Sequence, residues 1–144
     1  AMFDDEFNKT LQLKHNPKSV KKFLQEDFTY FTNLYVKIWK YLKDYDGSQK
    51  YIYYNRLTEM GSQFLLILSC CSYNDSEENE KMFLISKHLD RLFCLLQLQR
   101  SYSSQTFSSE IYKLSAEIRN KKADEVEKMI IFCPMDFLRK LELN

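Results

Sequence analysis

The chain has 144 residues, a formal net charge of +1, 44% hydrophobic and 28% charged residues. That length builds one domain burying about two-thirds of its unfolded surface, and the near-neutral charge removes the strongly basic balance with which nucleic-acid-binding domains release phosphate counterions. Two Gly and two Pro leave almost no hairpin chemistry, which excludes a sandwich or barrel, and 15% aromatic residues exclude a disordered chain.

In chain order, Phe3, Phe7 and Leu11 predict a short first helix over 3–13. Asn16-Pro17 supplies an N-cap residue followed by proline at the first helical position, opening a long helix that runs to about Gly47. Along it Leu24, Phe28, Phe31, Tyr35, Ile38, Leu42 and Tyr45 recur at spacings of four and three and predict one apolar stripe, widened by Phe23, Tyr30, Leu34 and Tyr41. Residues 51–60 suit a helix better than a strand, because no partner strand is visible. Gly61 and Ser62 permit a bend, and 63–71 is apolar almost all round, as a short central helix would be. Asp75 with Glu78 forms a capping box opening a helix in which Met82, Ile85, Leu89, Leu92 and Leu96 share a face, ending near Arg100. Phe107, Ile111, Leu114 and Ile118 predict the next helix, 126–133 another, and Phe137, Leu138 and Leu141 a last short one beyond Pro134.

The expected fold is therefore all-α, an irregular antiparallel bundle of about seven helices with one long N-terminal helix, forming a single domain over 1–144. The opening Ala1-Met2 and the closing Leu143-Asn144, which follows directly on a helical pattern, suggest a piece of a larger multidomain protein.

Catalytic chemistry is sparse. Cys70, Cys71, Cys94, Cys133, His15 and His88 form neither a C-x-x-C nor a His pair at helical spacing, so no metal and no cofactor is expected. The cysteines read as small hydrophobes, reduced in a cytoplasmic protein. His88 and Cys94 lie six apart, which is not a facing separation on a helix. Neither histidine follows an arginine as in helical ribonucleases of the HEPN class, and the two glycines stand alone, without a phosphate-cradling loop. The longest apolar run, 64–68, is far below the roughly 20 residues of a membrane span. Asp75, Glu77, Glu78 and Glu80 suit a helix N-terminus. Lys14, Lys18, Lys21 and Lys22 align on one face, extended by Lys37, Lys40 and Lys43; the simplest reading is a solvated face, and the functional one is non-specific phosphate contact.

In "LQLQRSYSSQTFSSEIYKL", residues 96–114, Arg100 closes one helix, where its charge opposes the negative dipole end for about 0.3 to 1 kcal/mol. Thr106 or a nearby serine caps the next helix, whose apolar face starts at Phe107.

The stretch from Asn55 to about Ile130 contains "NRLTEMGSQFLLILS", an acidic loop, "EKMFLISKHLDRLFCLLQLQR" and "SYSSQTFSSEIYKLSAEIR". This order resembles the helical region that follows the ParB-like domain in GmrSD-type, modification-dependent restriction proteins and their bacterial relatives. Arg100 matches the arginine ending the family's helix and Phe107 its later aromatic residue; Ser103, Ser104 and Gln105 stand where the family carries an asparagine. The resemblance implies a parent with an Asp-Gly-Gln-Gln-Arg motif upstream and a His-Asn-His nuclease domain downstream, neither motif occurring in this chain. It thus implies a non-catalytic scaffold or recognition domain within a restriction endonuclease for phage defence. The other domains of the parent and the DNA backbone would be its partners. An alternative reading is a protein-interaction bundle with Tyr51, Tyr53 and Tyr54 on its surface, and a third is a helical enzyme with a site assembled across helices.

Overall fold

The computed structural model describes residues 11–100 and 103–131, and it is all-helical, with no strand among the described residues. Helix α1 (Pro17–Phe23) starts where Asn16-Pro17 predicts. The Asn16 side chain accepts from the Ser19 N–H at 3.2 Å, and Pro17 fills the first turn. The chain then passes through a π-helical turn (Leu24–Phe28) into α2 (Thr29–Lys43). The hydroxyl of Thr29 donates to the Leu24 carbonyl at 2.7 Å and that of Thr32 to the Phe28 carbonyl at 2.8 Å.

The expected unbroken helix to Gly47 is thereby corrected. It is divided by the π turn and stops at Lys43, where Asp44 becomes extended. The apolar stripe changes with it: Leu24, Phe28, Tyr35 and Tyr45 are exposed, whereas Leu34, Ile38 and Leu42 are buried. One extra residue in a turn rotates everything beyond it by about 100° relative to a regular 3.6-residue period.

Asp46 accepts from the Ser48 N–H at 2.7 Å and opens a 3₁₀ turn (Gly47–Gln49) that leads into α3 (Lys50–Leu57). α3 ends before the expected residue 60. Glu59 takes the left-handed conformation (φ 56), and the Met60 N–H bonds the Asn55 carbonyl at 2.8 Å, closing a Schellman-type end over the buried Met60. The bend thus rests on Glu59, since Gly61 keeps a φ of −64.

Helices α4 (Ser62–Cys70), α5 (Glu78–Leu98) and α6 (Ser104–Glu117) follow, and residues 123–131 are helical. Six α-helices have both ends within the described residues, against about seven expected. Most of the helix predicted over 3–13 and the one beyond Pro134 lie outside the described residues. The Asp75/Glu78 capping box does not form. Glu77 holds the N-cap position of α5 without a side-chain bond to that helix's amides; Asp75 accepts from the Glu77 and Ser72 amides and from Lys81, and Glu78 turns to Tyr30 and Lys37.

Met82, Ile85, Leu89, Leu92 and Leu96 of α5, with Phe107, Ile111, Leu114 and Ile118, are all buried in one core with Ile38, Ile52, Leu66, Ile67 and Val126. α5 carries α3 and α4 against it, α4 also packs on α6, and α2 lies on α3 and α4. A buried amide link ties three helices. Asn55 Nδ2 donates to Gln63 Oε1 at 3.2 Å and to the Ser86 carbonyl at 3.0 Å, while Gln63 Nε2 donates to the Ile52 carbonyl at 3.4 Å.

Candidate functional site

A dense polar cluster lies where α4 hands over to α5. Lys81 sits on the first turn of α5 and is 4% exposed. Its Nζ meets Asp75 Oδ2 at 2.7 Å and the Cys70 carbonyl, in the last turn of α4, at 3.3 Å. Burial works to lower the lysine, but the hydrogen bond and charge of Asp75 outweigh it and hold the ammonium above its ordinary range. Burial likewise works to raise Asp75, and the bonds from Lys81 and from the Glu77 and Ser72 amides bring it below the ordinary carboxylate range. The pair therefore stays charged, clamping the loop between α4 and α5 and satisfying an orphan carbonyl of α4.

A second set lies alongside. Glu78 accepts from the Tyr30 hydroxyl at 2.7 Å and from Lys37 Nζ at 2.6 Å, and Lys37 also reaches Asn79 Oδ1 at 2.7 Å. Burial, then the bond to Glu78, pushes the Tyr30 phenol up, so it acts as a neutral donor. Glu77 accepts from the Ala123 N–H at 2.9 Å, placing a carboxylate at the start of the 123–131 helix. Further along, His88 Nε2 lies 3.3 Å from Glu127 Oε1.

Beside this corner runs a groove of about 650 Å³, bounded by Phe23, Asp27, Phe28 and Phe31 from the π-turn region, by Leu65, Leu68 and Cys71 at α4, and by Tyr73, Arg119 and Asn120. The wall is mostly apolar, with Asp27 and Arg119 as its two charged residues. Its size falls within the range of ligand-sized clefts, about 300–1,000 Å³, and the π turn, a feature common at functional sites, forms one side.

The sequence-predicted residues are dispersed. Lys14 lies in the turn before α1, and Lys18, Lys21 and Lys22 are exposed on α1, Lys22 standing 4.0 Å from Glu26. Lys40 is exposed on α2, Lys43 covers the Trp39 ring at 5.3 Å, and Lys37 is engaged at Glu78. The π turn separates the α1 lysines from the α2 lysines, so they do not share one regular helix. Arg100 follows the C-cap Gln99 of α5 with a left-handed backbone (φ 54) and an exposed side chain. Thr106 lies inside the first turn of α6, and Ser103 holds its N-cap position without a side-chain bond. Phe107 is core. Tyr51 and Tyr53 are half-buried and Tyr54 is exposed, within a ring cluster that includes Tyr45 and Phe83.

The sequence does not announce the ionic corner, because its partners are up to 48 residues apart. One local signal is present: Lys81 precedes Ile85 and Leu89 at intervals of four, a charge on an apolar face. Among the described residues no three His, Cys, Asp or Glu side chains are placed to hold a metal ion, and no helix is long and apolar enough to cross a membrane. In comparisons with known proteins, no family model, no curated protein and no solved structure matches the chain.

Proposed function

We propose that this chain is a non-catalytic scaffold and recognition domain, an irregular helical bundle that holds the other domains of a DNA-restricting protein in register. The observation that carries the scaffold part is how the polar chemistry is used. Lys81 with Asp75, and Lys37 with Tyr30 and Glu78, close on each other and join elements, while the open groove beside them offers mainly apolar wall suited to a protein surface. The restriction setting is supported by the sequence resemblance between Asn55 and Ile130. Exposed Lys18, Lys21, Lys22 and Lys40 are the residues available for DNA-backbone contact, with Lys37 withdrawn to Glu78.

The second reading is a protein-interaction domain unrelated to restriction, favoured by the aromatic cluster in which Tyr45 is 58% and Tyr54 37% exposed. The parent reading frame distinguishes the two. An Asp-Gly-Gln-Gln-Arg motif upstream supports the restriction reading; an unrelated upstream domain overturns it and leaves the interaction reading. In the interaction case, substituting Tyr45 and Tyr54 abolishes partner capture without lowering thermal stability.

A further inference from the structure

We propose that Cys70 and Cys71 form a vicinal dithiol site for a soft, thiophilic centre with two exchangeable oxygen ligands, a monosubstituted trivalent arsenical being the chemical class. The two Sγ atoms stand 3.7 Å apart, with Cys70 fully buried and Cys71 4% exposed. Two sulfur atoms each about 2.3 Å from one atom lie about 3.5 Å apart at the pyramidal angle of trivalent arsenic, so one bridging atom joins this pair once the sulfurs close by a few tenths of an ångström. Access is through the groove, since Cys71 forms part of its wall beside Leu68 and Tyr73. Cys94 is exposed on α5 instead.

The step balances without an oxidant or reductant. Two S–H and two As–O bonds break, two As–S bonds form, and the two hydroxyl groups of the arsonous acid leave as two waters, with arsenic remaining trivalent. Reactants and product are neutral. That suits a site where the bond to Cys70, then burial, push the Cys71 thiol up and disfavour a thiolate. A divalent metal would instead be held by two thiolates, the form this buried pair disfavours at Cys71.

The test incubates the folded chain with phenylarsine oxide in excess monothiol and follows intact mass and circular dichroism. The sample is then quenched, unfolded, labelled with maleimide and mapped by peptide mass. The expected result is one phenylarsenic group per chain with helical signal retained, joint protection of Cys70 and Cys71, and reversal by a dithiol. Cys71→Ala should weaken uptake on the order of a hundredfold, the loss of the chelate's second bond. If that variant does not fold, the protection pattern of the unaltered chain decides. The proposal is overturned by no adduct on the folded chain, an adduct seated on Cys94 or Cys133, uptake only as helix is lost, a two-hydrogen mass loss marking a disulfide, or unchanged uptake in folded Cys71→Ala.

Discussion

Replacing Lys81 by Met removes the ammonium while keeping an unbranched chain to fill its space. Asp75 and Lys81 both have side chains 6% exposed, so Asp75 would lose a cation at 2.7 Å without gaining water, and the Cys70 carbonyl would lose its donor at 3.3 Å. Removing one partner of a buried pair costs about 3–5 kcal/mol. The amides of Ser72 and Glu77 remain on the carboxylate, which places the expected loss near the lower end, about 3 kcal/mol. At roughly 2–4 °C per kcal/mol, the melting temperature should fall by about 6–12 °C. Urea titrations at matched pH measure the loss directly. Lys81→Met combined with Asp75→Leu should cost less than Lys81→Met alone, because the stranded charge is gone. The pH dependence has two signs. The folded value of Asp75 lies below its unfolded value of about 3.9, so its contribution is present above that pH and drains as pH falls through the folded value. That of Lys81 lies above about 10.4, so its contribution is present below that pH and is lost as pH rises through the folded value. The gap between wild type and Lys81→Met should therefore be flat from about pH 5 to 9 and narrow at both ends. A loss under about 1 kcal/mol at pH 7 would refute the claim that this pair clamps the α4–α5 corner.

Two further perturbations follow from local geometry. Glu59→Gly should stabilise the chain by about 1 kcal/mol in the same urea assay, since it relieves a left-handed backbone and removes a negative charge from the end of α3; a destabilisation would contradict the Schellman-type geometry. His88 is held below its ordinary value by burial, opposed by the bond to Glu127 and aided by Lys87 and Arg91. Its contribution is therefore present above about pH 6.5 and lost as pH falls through the folded value. Stability of His88→Gln should decline less than wild type between about pH 7 and 5, and parallel curves would show that His88 titrates as if unfolded.

The parts legible in the sequence are those written in local periodicity. On α5 and α6 the apolar residues recur at helical spacing without interruption, and each predicted face is the buried one. The α1–α2 region shows where this reasoning stops. Apolar residues at positions 24 to 45 satisfy a regular period by spacing, but a π turn, which no residue type announces, shifts the phase and leaves Leu24, Phe28 and Tyr35 outside. Glycine is a misleading cue at Gly61, because Glu59 makes the left-handed turn two residues earlier. The polar corner depends on pairs such as Tyr30–Glu78 and Lys37–Glu78, brought together only when α2 packs near the start of α5. For the lysines the sequence shows charge and spacing, whereas their availability depends on which carboxylate the fold places opposite each one.

The division of the lysines into an exposed set and an engaged one can be measured. Duplex-DNA binding of a fluorescent probe is followed against salt, beside thermal melts, for wild type, Lys37→Ala and the combined Lys18, Lys21, Lys22 and Lys40→Ala variant. Wild-type binding should be weak, and its logarithmic salt slope should fall by roughly one for each phosphate that the combined variant no longer neutralises, with the melting temperature unchanged. Lys37→Ala should bind like wild type but melt roughly 2–4 °C lower, for the loss of about 1 kcal/mol at Glu78. Loss of binding in Lys37→Ala at unchanged stability, or no wild-type binding at low salt, would contradict the assignment of the exposed lysines to DNA.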